Sequence, residues 1–258
     1  MGDGRKDLSA DQVRNFIENL IGDLVEQCHN KTSYGKPVIG YGTVDNPLFT
    51  DLKELIDADH LIPRDLLPGA KTVIAFYLPF SSQIVQANLK NPQVAAEWAL
   101  AYQETNSLLE GICHNLSHQL NQIGVKSAFL PPTHNFHREK LVSYWSHKHV
   151  GYICGLGNFG LHRMLITERG CAGRLTSLVI DYPLDATTRK AKAYCLYSRK
   201  GTCQKCIEAC PSGALTISGL DRETCYNHLL QIDADFSGHG ELDVCGKCAC
   251  ACPYAIVE

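Results

Sequence analysis

Nine of the thirteen cysteines in this 258-residue chain fall between residues 195 and 258, and eight of them are spaced to grip metal. The first run is Cys203-x2-Cys206-x3-Cys210-Pro211. The second is Cys245-x2-Cys248-x3-Cys252-Pro253, with Cys225 between the runs and Cys195 upstream. Thiolate is the metal-binding form of cysteine. Turns of two and three residues bring successive sulfurs round one metal face. The proline after each run stops a helix and leads the chain away. The last quarter of the chain must therefore fold around whatever these sulfurs hold.

Runs ending in Cys-Pro are the mark of paired four-iron clusters, in which the cysteine before proline crosses to the other cluster. By that rule Cys210 joins Cys225, Cys245 and Cys248, and Cys252 joins Cys203, Cys206 and one more. The expected position for that last ligand, three residues before Cys203, holds Lys200. Cys195 is the natural substitute and is favoured, with Cys250 as the rival. The competing reading is structural zinc, which uses two C-x2-4-C pairs per metal. The two Cys-Pro endings and the total of eight thiols argue for iron–sulfur. A chain with two such clusters moves electrons one at a time.

The remainder is ordinary for a globular protein: 45% hydrophobic, 20% charged, net charge −3. The length suits one large domain or two smaller ones. Nothing in the charge balance suggests a strongly basic nucleic-acid binder. The opening MGDGRKDLSADQ has no apolar core of an export signal, lacks the Ser or Thr of a myristoylation site, and no run approaches a membrane span. A cytoplasmic protein is expected, and clustered cysteines there are metal ligands more often than disulfides.

Ser9-Ala10-Asp11-Gln12 reads as a capping box, and Val13, Phe16, Ile17, Leu20, Ile21 and Leu24 follow at helical spacing. Strands are expected over 37–42, 71–78, 124–130 and 174–181, a small helix over 51–57, the longest helix over 93–122, and another over 138–149. Phe76 and Tyr77, adjacent on a strand, should enter the core on opposite faces. Cys28, Cys113, Cys154 and Cys171 are expected as buried thiols. Strands alternating with helices suggest an α/β or α+β first domain over 1–190. Cysteine, glycine and short turns take over in a second, over 191–258.

The segment 147–184, HKHVGYICGLGNFGLHRMLITERGCAGRLTSLVIDYPL, is the second informative stretch. Gly155-Leu156-Gly157-x-x-Gly160 alone says little. Followed by Leu165-Ile166-Thr167, a glycine turn, Arg174, a strand and Asp181-x-Pro183-Leu184, and then by two cysteine runs, it resembles epoxyqueuosine reductases and cobalamin-dependent reductive dehalogenases. The resemblance covers roughly residues 124–254. It implies an α+β protein: a nitroreductase-like α/β domain holding base-off cobalamin, then a ferredoxin-like module with two 4Fe-4S clusters. In that family electrons pass through the clusters to cobalt, which reduces the substrate. Gly155, Leu156, Gly157 and Gly160 would lie against the corrinoid or its nucleotide tail, with Thr167 and Arg174 bonding its amides or phosphate. An external low-potential donor such as ferredoxin or flavodoxin would supply the electrons.

The proton donor departs from the family. About fourteen residues before Gly155, where epoxyqueuosine reductases carry an aspartate, stands Leu141. His134, His137, His147 and His149 cluster nearby, and histidine suits general-acid work near neutral pH. His134 and His137, in a loop after Pro131-Pro132, are the preferred candidates, with Tyr144 ranked below by analogy with the dehalogenases. His147 and His149, two apart, do not share a helix face. The expected substrate is a small molecule or a modified nucleoside. Transfer RNA is not favoured, on the acidic balance and the lack of a C-terminal helical repeat. Two alternatives stay open: an electron-transfer protein without its own corrinoid, and a flavin in the same domain.

Overall fold

The computed structural model describes residues 8–189, 193–236 and 242–257. The domain boundary expected near 190 and the readings made on Met1–Lys6 lie outside the described residues.

In chain order the elements are α1 (Ala10–Glu26), β1 (Val38–Thr43), α2 (Leu48–Leu55), α3 (Pro63–Leu66), β2 (Thr72–Pro79), α4 (Ser82–Lys90), α5 (Ala96–Gln122), β3 (Ser127–Phe129), β4 (Phe136–His137), β5 (Val142–Ser143), α6 (His147–Ile153), β6 (Gly157–Phe159), β7 (Leu165–Thr167), β8 (Gly173–Ile180), α7 (Leu196–Lys200), α8 (Lys205–Glu208), α9 (Arg222–Asp235) and α10 (Lys247–Cys250). The fold is mixed α/β. Its main sheet has the order β1-β2-β8-β3, with every neighbouring pair antiparallel.

All eight residues of β2 are buried, because helices cover both faces of the sheet. Successive strand residues point to opposite faces. Ile74, Phe76 and Leu78 meet Val13, Ile17 and Ile21 of α1 and Leu109, Ile112 and Leu116 of α5. Val73, Ala75 and Tyr77 meet Phe49 of α2 and Val150 and Ile153 of α6. Phe76 and Tyr77 thus serve opposite halves of the core, as their adjacency requires. The helix α1 opens on the expected capping box: Ser9 Oγ accepts from Gln12 N, and Gln12 Oε1 accepts from Ser9 N.

The helix expected over 138–149 is not present. A two-residue hairpin, β4 with β5, occupies 136–143, and a helix begins only at His147. Leu141 has φ +52, which a helix does not tolerate. Cys28 is half-buried rather than buried, whereas Cys113, Cys154 and Cys171 are buried as expected.

The cysteine-rich part packs on the first part through α4 and α10. Asn88, fully buried on α4, holds the joint: its Nδ2 donates to Cys245 O at 3.0 Å, and its Oδ1 accepts from Ala95 N at 3.1 Å. Lys247 Nζ donates to the Asn88 and Asn91 carbonyls. A second seam joins Cys171 and Ala172 to the carbonyls of Tyr254 and Ala255. Among the described residues, no helix is long and apolar enough to cross a membrane.

Candidate metal centre

Four cysteines of the cysteine-rich part converge on one cavity, which Cys171 of the first part also lines. Cys210 follows α8, Cys225 sits in the first turns of α9, and Cys245 and Cys248 flank the start of α10. All four line a cavity of about 220 Å³. Burial, then the neighbouring Cys245, Cys225, Cys210 and Cys206 sulfurs, push the Cys248 thiol up to about 12. Crowding of this kind disfavours thiolates unless a cation sits among them, in which case coordination removes the protons outright. For Cys210, burial acts upward but the backbone N–H groups of Leu215, Ser212 and Ala214 outweigh it and hold the thiol below its usual range.

A second group forms around Cys206. Burial first, then Cys252, Cys195 and Cys203, push its thiol up to about 11. Cys195 stands at the start of α7, where burial is outweighed by hydrogen bonds from Ser198 and Leu161 that lower it. Cys250 is elsewhere: its buried Sγ accepts from Asn88 Nδ2 at 3.5 Å, against the first part of the chain. Cys252 has two neighbours that sequence reasoning did not connect with it. A ring nitrogen of His162 and the Sγ atoms of Cys171 and Cys252 lie within 4.8 Å of one another.

One wall of the cavity carries polar chemistry. Tyr102 of α5 donates to Asp243 Oδ1 at 2.5 Å and accepts from Thr133 Oγ1 at 3.2 Å. Arg174 of β8 lies 4.3 Å over the Tyr102 ring, and its buried Nε has no hydrogen-bond partner. Burial pushes Tyr102 up to about 12. Asp243 is held below the usual carboxylate range: burial opposes this, but the bonds to His134 and Tyr102 prevail.

The three expected proton donors separate. His134 Nε2 lies 3.3 Å from Asp243 Oδ1 and so joins the cavity network. His137 caps its own hairpin, Nδ1 accepting from Lys140 N at 3.3 Å. Tyr144 is 43% exposed, packed beside His137. None of the three lines the cavity itself; His134 reaches it through Asp243. His147 is a buried structural group. Its Nε2–H donates to Pro131 O at 3.0 Å, and Nδ1 accepts from Ser177 Oγ, which also accepts from Trp145 Nε1.

Of the residues expected against a cofactor, Arg174 lines the cavity and the others do not. Leu156 is core, packed against Gly40. Gly155 packs on Thr187. A Cβ on Gly157 would lie 2.1 Å from Ile166 O, so this glycine closes the β6–β7 hairpin. Thr167 is fully buried, its hydroxyl donating to Gly170 O and accepting from Arg169 N. The glycine segment is thus used for close packing of its own hairpin. Sequence reasoning missed Asn88, Tyr102, His162 and Asp243, each of which has a neighbour at the site that lies far away in the chain.

Comparison with known proteins bears on what this site serves. No family model matches the chain. It is 26% identical over 209 residues to an epoxyqueuosine reductase of Leadbetterella byssophila, spanning 75% of this chain and 62% of that protein. It is 27% identical over 205 residues to the one from Cyclobacterium marinum, spanning 75% and 61%. The structure of epoxyqueuosine reductase from Bacillus subtilis superposes with a TM-score of 0.61 at 20% identity, over 94% of this chain and 66% of that one. In sequence and in fold, the chain resembles epoxyqueuosine reductases. The resemblance extends to a catabolic reductive dehalogenase, with a TM-score of 0.58 at 14% identity, over 95% of this chain and 36% of that one. The chain spans about three fifths of the length of these curated epoxyqueuosine reductases.

Proposed function

We propose that the chain is an iron–sulfur reductase with two 4Fe-4S clusters. One is held by Cys195, Cys203, Cys206 and Cys252, the other by Cys210, Cys225, Cys245 and Cys248. The observation that carries this reading is the cavity of about 220 Å³ that Cys210, Cys225, Cys245 and Cys248 line together, with Cys171 beside them. It suits a cubane cluster in scale and in donor chemistry. The clusters supply one-electron transfer from an external low-potential donor such as ferredoxin or flavodoxin. Around them the chain's own residues do the rest: Asn88 and Lys247 fix the α10 loop, and Tyr102 and His134 hold protons against the Asp243 carboxylate.

The acceptor beyond the clusters is read as base-off cobalamin, as in the resembling families; one related dehalogenase structure is described by a mechanism for B12-dependent dehalogenation. The cavity of about 220 Å³ is smaller than a corrin ring with its nucleotide tail, so none of its residues is assigned to that group and no step is derived through it. The same observation favours a second reading, in which the clusters hand electrons to a partner or to a corrinoid bound elsewhere. The substrate class includes a modified nucleoside on RNA. One epoxyqueuosine reductase structure contains a modified tRNA stem loop, so the expectation against tRNA finds no support among the relatives.

Anaerobic titration of the reconstituted chain with cob(II)alamin, followed by EPR, tests the acceptor. Loss of the nitrogen superhyperfine splitting supports base-off binding. An unchanged cobalamin spectrum beside good cluster signals supports transfer to a partner.

A further inference from the structure

His162 sits in the turn joining β6 to β7 and is 4% exposed. Its Nδ1 accepts from Met164 N–H at 3.1 Å, which places the proton of the neutral ring on Nε2. That Nε2 is buried and has no hydrogen-bond partner. A buried N–H left without an acceptor is a costly arrangement, and one that persists calls for an explanation. Sulfur lies beside the ring: Cys252 Sγ and Cys171 Sγ are both within 4.8 Å of a His162 ring nitrogen. Cys171 is a thiol donor, its Sγ turned to Ala249 O at 3.6 Å. Cys252 Sγ already accepts from Tyr254 N at 3.4 Å. The ring reaches this position because residue 160 is glycine. A Cβ there would stand 2.8 Å from His162 Cε1 and 2.9 Å from Nε2.

We propose that His162 donates an N–H···S hydrogen bond to the Cys252 thiolate and thereby raises the reduction potential of the cluster that Cys252 ligates. The inference rests on the reading of Cys252 as a cluster ligand. His162 is a positioning residue: it acts through the cysteine sulfur. The physical cause is charge. One electron enters the oxidised cluster from the low-potential donor, no bond is made or broken, and the added negative charge spreads onto the sulfurs. A donor aimed at one sulfur stabilises the reduced state more than the oxidised one, and hydrogen bonds to the sulfurs are among the factors that set cluster potentials. Gly160 then has a functional reason: it makes room for the imidazole, which is how the glycine segment bears on electron transfer without touching a cofactor.

The test is an EPR-monitored dithionite titration of the anaerobically reconstituted full chain, with iron and sulfide counted first. His162→Phe removes the donor and His162→Gln keeps one. The expected result is two intact clusters in all three proteins. In His162→Phe one cluster becomes about tenfold harder to reduce, equivalent to about 59 mV for a one-electron couple. His162→Gln returns toward wild type, and the second cluster does not move. Two intact clusters with unchanged potentials in His162→Phe overturn the inference. Where His162→Phe fails to assemble, the wild-type chain labelled with ¹⁵N-histidine decides: weak nitrogen coupling to one reduced cluster supports the hydrogen bond. Absent coupling, or the strong coupling of a ligating imidazole, overturns it. A wild-type chain without a cluster on Cys252 overturns the underlying reading and the inference with it, and that failure shows in the iron count before any potential is measured.

Discussion

The Tyr102 hydroxyl donates to Asp243 Oδ1 at 2.5 Å, joining the longest helix of the chain to the loop that carries Cys245. Residues 141 apart thus meet in one cavity wall, with His134 on the other side of the same carboxylate oxygen. The same cavity is lined by Cys210, Cys225, Cys245 and Cys248, so this proton-bearing pair and the sulfurs share one space.

Replacing Tyr102 by Phe should leave both clusters in place and slow a proton-coupled step. General acids contribute on the order of 10²–10⁴-fold, and a residue acting within a network sits near the low end. Cluster EPR should be unchanged while substrate turnover falls. Equal turnover in the Tyr102→Phe protein would leave the hydroxyl a purely structural role.

Cys195 and Cys250 make opposite predictions. Cys195 is among the sulfurs that perturb Cys206, and Cys250 is turned to Asn88. Cys195→Ala should cost one cluster, read as a loss of iron and of one EPR signal, as should Cys206→Ala. Cys250→Ala should keep both signals and lose only packing, by about 1 kcal/mol or less of stability.

Stability should fall on mild acidification because of His147. Burial holds this histidine neutral and lowers its pKa to about 4, well below its value of about 6.5 when unfolded. Between these values the unfolded chain binds the extra proton, so stability rises with pH there and is lost as pH falls from about 6.5 towards 4. His147 alone should account for a loss of about 2 kcal/mol between pH 7 and pH 5, and His149, also lowered to about 4 by burial, adds to it. Denaturant midpoints at the two pH values check this. His147→Gln should show a smaller pH difference than wild type, because acid damage to the clusters is common to both proteins.

Gly246→Ala should disrupt the cavity that Cys245 and Cys248 line. Gly246 has φ +70, and an added Cβ would lie 2.1 Å from the Trp98 ring. Left-handed backbone costs about 1–2 kcal/mol for an L-residue, and overpacking adds about 1–3. The expected readout is a lower melting temperature together with weaker retention of the cluster next to Cys245 and Cys248.

How far the chain could be read in advance follows from the range of each interaction. The strand β2 was legible because a sheet covered on both faces needs an unbroken apolar run, and KTVIAFYL supplies one. The α1 cap was legible because its partners are three residues apart. The hairpin at 136–143 was not. Its pairing spans too few residues to leave an alternating pattern, and Leu141 adopts a positive φ that no local signal announces. At the candidate site, the cysteine spacing pointed to the convergence of Cys210, Cys225, Cys245 and Cys248. His134 was singled out as a loop histidine, but its partner Asp243 lies 109 residues away. Thr167 looked like a polar group free to bind, and the structure turns its hydroxyl into its own hairpin. Asn88 and His162 matter for atoms that only the tertiary fold brings to them.

The most direct test of the account is a metal and sulfide analysis of the anaerobically reconstituted chain, combined with EPR of the dithionite-reduced protein. Two four-iron clusters predict about eight irons and eight sulfides per chain and two interacting reduced-cluster signals. Zinc in place of iron, or a chain that holds no more than four irons under the same conditions, would contradict it.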